Sequence, residues 1–253
     1  MSKWNEWAEI CKKKALETRI EYGISPYSPI EVFKLLKEAD INVIKEPIDS
    51  HISGFFLKRG HSELVFINTK RSIGHQNFTA AHEYYHIKFD VDISGRVCFV
   101  GRFDVREPNE FKADLFASYL LAPDEAINFH LYRRGIQRLD DSTITLKDVI
   151  DLEQIFGISH TAMLVRLQQM GLSSEKAAVF KPNVIKNARS LGYNVSLYQE
   201  SNDYAVISKY AEKAKIAFDK GLISSGKYEE LLLEAGLIDI LYSENEHEEG
   251  DLI

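Results

Sequence analysis

Cysteine is scarce in this chain: of 253 residues only Cys11 and Cys98 are cysteines, and they lie far apart. A disulfide framework is therefore not expected, and a reducing cytoplasm fits better. Long apolar runs are also missing. No window approaches about 18 uninterrupted apolar residues, so no membrane span is expected. The opening MSKWNEWAEICKKK has no apolar run behind its charges, which argues against a secretory signal. Nor is there an excess of basic charge. The formal net charge is −7, so nucleic acid is not expected as the primary ligand. No internal repeat is found. What remains is a soluble chain, 45% hydrophobic and 27% charged, with ample apolar material for a core.

The chain itself reads as helices interleaved with a few short strands. Trp4, Trp7, Ala8, Cys11, Ala15 and Ile20 recur at helical spacing over 3–22. Ser28 and Pro29 read as the cap and first residue of a second helix, PIEVFKLLKEA. INVIKEPI, GFFLKR and ELVFINT are rich in β-branched and aromatic residues, which predicts a hairpin within an antiparallel sheet of about three strands. A helix is predicted from about Gln76 to Phe89, and a short strand at VCFVG. Glu107-Pro108-Asn109 opens a helix ending near Ala122-Pro123, and DEAINFHLYRRG follows as another. Two further helices meet at Phe156-Gly157-Ile158-Ser159. Beyond 175 the sequence reads as helical, with one strand near YNVSLY and an acidic, apolar-poor tail.

The stretch FTAAHEYYHIKFD carries the chemistry. His82 and His86 stand four apart, so a helix brings both to one face, where two neutral imidazoles can share one zinc ion. Glu83 is turned about 100° from His82. It stands beside that point, where a general base belongs. The competing reading is two surface histidines. A catalytic zinc needs a third protein ligand. In REPNEFKADLFASYLLAP, Glu110 and Asp114 share one helical face. Glu110 would complete a His-His-Glu set, and Asp114 would accept a hydrogen bond from the far nitrogen of a ligating histidine. The alternative is two acids facing solvent at a helix N-terminus.

AHEYYHIKF together with EFKADLFASYLLAP resembles the ImmA/IrrE family of bacterial metallopeptidases. Its second motif is matched by Glu110, Ala113, Asp114, Phe116, Ala117, Leu120, Leu121 and Pro123. The resemblance is strong over about 26–125 and looser over 140–170. It departs in EYYH, where small residues are commoner. It implies a zincin-like domain with a His-Glu-x-x-His active-site helix; with the small antiparallel sheet and the helices read above, the fold class is α+β, a zincin-like domain followed by a mostly helical C-terminal region. It implies a zinc-dependent endopeptidase with His82, His86 and Glu110 as ligands and Glu83 as base. Its implied substrate is a helix-turn-helix repressor of a mobile element or stress response. Other functions stay open: a zinc-holding protein–protein regulator with little turnover, or a toxin-like peptidase restrained by a partner.

The domain reading places the peptidase in 1–135, a helix-turn-helix-like module in 136–174 and an extension in 175–253. The module offers Arg166 and His160 but no basic cluster, so docking is favoured over DNA reading. ELVFINT is a candidate edge strand for an extended peptide. Cys98 is a candidate latency ligand, its thiolate occupying the open metal position. Tyr119, Tyr132, His130 and His160 are candidates for stabilising an oxyanion.

Overall fold

The computed structural model describes residues 3–60, 62–90, 94–98, 107–235 and 237, with the side chains of 96–98 left aside. Five strands, β1 (Asn42–Glu46), β2 (Gly54–Arg59), β3 (Ser62–Asn68), β4 (Gly95–Cys98) and β5 (Ala205–Ile207), form one sheet in the order β4-β2-β3-β1-β5. β2 and β3 make the expected hairpin. β1, however, runs parallel to β3, so the sheet is mixed and larger than the three antiparallel strands expected. The cause lies in the link from β1 to β2. Asn68, fully buried at the end of β3, accepts from the Ile48 N–H and donates to the carbonyls of Ile48 and Ile52. One amide thus satisfies a loop that crosses the end of β3 and delivers β2 to its far side. β3 is in consequence an interior strand, paired on both edges, and cannot be the peptide-docking edge foreseen.

The helices arrange themselves around this sheet. α1 (Lys3–Glu21) packs along α4 (Pro108–Leu121), and α4 along α3 (Ile73–Phe89), which lies on β2 and β3. α2 spans Val32–Glu38 with Glu31 as its cap. Ser28 does not start it, because Arg19 Nη1 takes the carbonyls of Ser25 and Ser28 and holds that segment in an irregular turn. Arg19 is 1% exposed, and its Nε donates to Leu120 O at 2.8 Å. Arg166 Nε donates to Ala122 O at 3.0 Å. Two buried guanidinium groups therefore satisfy the carbonyls left over at the end of α4, which fixes that helix against α1 and the module behind it.

α5 (Asp124–Tyr132), α6 (Leu146–Phe156) and α7 (His160–Gln169) follow. A Thr145–Asp148 capping box starts α6, Gly157 ends it at φ 62, and Ser159 caps α7. α8 (Ser174–Phe180) and α9 (Val184–Ser190) lead to a 3-10 turn at Ser196–Tyr198, where a strand was expected. That strand comes later, as β5, antiparallel to β1. α10 (Lys209–Asp219) and α11 (Ser225–Glu234) then build a second small core on Ile44 and Leu64, which alternate with Val43 and Val65 of the main core. One apolar cluster runs from Ala8 to Phe180, so packing continues across residues 135 and 174. Among the described residues no helix is long and apolar enough to cross a membrane.

Candidate metal centre

α3 is buried on nearly every side, which explains its unusual filling. Tyr84 and Tyr85 are 1% and 3% exposed. Tyr84 stacks on Phe116 of α4, and Tyr85 packs on Phe89 and Phe116. The two bulky residues after Glu83 are thus core, and the face of His82 and His86 is left for chemistry. Those histidines, 0% exposed, meet Glu110 from the first turn of α4, where the helix dipole favours a carboxylate. His82 Nε2 lies 3.3 Å from Glu110 Oε2, and His86 Nε2 lies 3.4 Å from Glu110 Oε1. The two Nε2 atoms are 3.1 Å apart. One ligand atom from each of the three residues falls within 4.8 Å of the others.

The outer nitrogens settle the tautomers. His82 Nδ1 is 2.9 Å from Asp114 Oδ1, and His86 Nδ1 is 2.7 Å from Asp90 Oδ2. Each Nδ1–H donates to a carboxylate, which leaves each Nε2 as a lone pair aimed inward. Burial holds the pKa of His86 below its ordinary value, against the opposing pull of Asp90, so the neutral ring prevails. Two imidazole lone pairs and a carboxylate converging at these distances repel one another unless a cation lies among them. The N, N, O donor set suits zinc, so the residues fit the metal that the resemblance implies.

Glu83 is fully buried between α3 and β2. Gly54 makes room there. A Cβ on it would stand 2.5 Å from Phe66 O, 2.7 Å from Thr79 Cγ2 and 3.6 Å from Glu83 Oε1. Only a glycine lets the start of β2 come this close.

The remaining candidates lie elsewhere or outside the described residues. Tyr119 packs under Arg166 at the other end of α4, 4.4 Å from ring to guanidinium. Tyr132 is 68% exposed, and His130 sits against Phe129 and Phe156. His160 and Arg166 are buried in internal contacts, so neither reaches out to a nucleic acid. The Cys98 thiol lies outside the described side chains.

One residue that touches the site was missed from sequence, and a second, buried histidine lies on the same helix; both had a signal. Asp90 stands four after His86, the same interval that separates the histidines. His75 stands seven before His82, two turns earlier on that face. Its Nε2 is 2.8 Å from Ser53 Oγ, and burial pushes its pKa down to about 4.

Fold and site together define a mixed α+β domain with a buried His-His-Glu set able to hold one cation. A family model described as Peptidase_M78, IrrE N-terminal-like domain, matches residues 36–168, more than half of the chain. The chain therefore belongs to this IrrE N-terminal-like peptidase family, in accord with the motifs. No curated protein matches it.

Proposed function

We propose that this protein is a zinc-dependent endopeptidase with His82, His86 and Glu110 as ligands and Glu83 as general base. The observation that carries the reading is the convergence of His82 Nε2, His86 Nε2 and a Glu110 oxygen on one point in a chain of a peptidase family. When bound, zinc supplies Lewis-acid activation of water and of the scissile carbonyl. Glu83 takes the proton of the attacking water and hands it to the leaving nitrogen. It is fully buried and stands beside Gly54 at the start of β2, which keeps bulk water from its carboxylate. Asp114 holds the His82 ring in its ligating tautomer. The substrate follows from the family resemblance alone: a helix-turn-helix repressor of a mobile element or stress response.

The test is incubation of the purified, zinc-loaded protein with the repressor encoded beside its gene. A discrete fragment is expected from the wild type. Glu83→Gln should bind zinc equally and cleave about 10²–10⁴-fold more slowly. Unchanged cleavage by that variant would remove Glu83 from the mechanism. Relief of repression by a variant that no longer cleaves would favour a binding regulator.

A further inference from the structure

His82 and His86 are held differently. The partner of His82, Asp114, comes from the middle of α4 and is 3% exposed. The partner of His86, Asp90, is the residue at which α3 ends. A carboxylate at a frayed helix end is a poor anchor, since terminal residues lose their hydrogen bonds first. Here β2 supplies the anchor. Phe56 and Lys58 are two apart, so both side chains leave the same face of the strand, toward α3. The Phe56 ring stacks on the His86 ring at 5.4 Å and 12°. Lys58 Nζ donates to His86 O at 3.0 Å and to Asp90 O at 2.8 Å. The Asp90 N–H also bonds back to His86 O, at 3.2 Å. The ammonium therefore closes the last turn of α3 and sets where the Asp90 carboxylate stands.

We propose that Asp90, clamped by Lys58 from β2, is the positioning residue for His86, as Asp114 is for His82, so that the sheet as well as α4 fixes the geometry of the metal site. The inference rests on the metal-site reading above. It makes Lys58 and Asp90 determinants of metal affinity although neither offers an atom to the metal.

The test uses the full chain, stripped of metal and titrated with zinc against a chromophoric chelator, with cobalt(II) absorption as a second readout of ligand geometry. Asp90→Ala should weaken zinc binding about 10–100-fold and alter the cobalt spectrum. Asp90→Asn keeps an acceptor for the Nδ1–H and should lose less. Lys58→Met should weaken binding by less than about tenfold, and Lys58→Arg should restore most of it. Melting of the metal-free variants separates a ligand effect from unfolding. Should Asp90→Ala fail to fold, Asp90→Asn and Lys58→Met carry the test. Variants that bind zinc within about twofold of wild type with an unchanged cobalt spectrum overturn the inference. His86→Ala serves as control. Loss of zinc there but not in the Asp90 variants sinks this inference alone, whereas a wild type that takes no zinc sinks the metal site itself.

Discussion

Among the described residues, two buried histidine–carboxylate constellations stand out, one between α3 and α4 and one between α6, α7 and the segment after α9. In the first, each ring gives its Nδ1–H to an acid and turns its Nε2 toward the other ring and Glu110. In the second, both nitrogens of His160 face acceptors: Nδ1 meets Glu153 Oε1 at 2.5 Å and Nε2 meets Phe180 O at 3.1 Å. Tyr198 donates to the other Glu153 oxygen at 2.7 Å. Burial pulls the His160 pKa down, but the Glu153 hydrogen bond and charge and the Phe180 carbonyl outweigh it, and the net shift is upward. A ring whose second nitrogen meets a backbone carbonyl ties segments together. Rings whose second nitrogens converge on one another and on a shared carboxylate form a group that can hold a cation. Proximity of histidine to acid does not separate the two; the second nitrogen does.

That contrast can be broken experimentally. The largest effect should come from His86→Ala, which removes one of the three proposed ligands and should abolish stoichiometric zinc in a metal assay while the metal-free fold survives. His160→Ala should do the reverse. It should leave zinc bound yet cost about 3–5 kcal/mol in denaturant unfolding, because Glu153 is then a buried charge without its partner. Zinc loss from the His160 variant would erase the distinction. Tyr198→Phe removes one hydrogen bond to that carboxylate and should cost about 1.5–3 kcal/mol.

Smaller, but sharper, are the opposite pH slopes. The folded pKa of His160 is raised, so its stabilisation is complete below the unfolded value of about 6.5 and is lost as pH rises through the folded pKa. His75, held to about 4 by burial, stabilises above the unfolded value of about 6.5, and that contribution is lost as pH falls toward its folded pKa. Unfolding of the metal-free protein across acid to mildly alkaline pH should show both arms. His160→Phe should flatten only the alkaline one, and loss of the acid arm instead would reverse the assignment.

Much of the site could be read locally. The i, i+4 spacings of His82 with His86 and of Glu110 with Asp114 are helix geometry, and helices fix faces from neighbours in sequence. Asp90 obeys the same spacing but lies at a helix end, where the pattern gives no assurance that the helix continues. The strand pattern of β2 and β3 was legible for the same local reason. The parallel pairing of β1, the interior place of β3 and the arrival of β5 were not, because strand order depends on where loops cross, and that is decided by groups such as the Asn68 amide. Ser28 has a capping sequence, yet Arg19, nine residues earlier, takes its carbonyl.

The sequence by itself determined the helices that carry the site and the chemistry they could carry: two imidazoles on one helical face, two acids on another, and an apolar filling that buries both helices. Only the tertiary structure decided that those faces meet, that Lys58 and Asp90 belong to the site, and that His160 does not. Helical periodicity acts over four residues and is written in the chain. The approach of α4 and β2 to α3 depends on contacts tens of residues apart, and no local pattern records them.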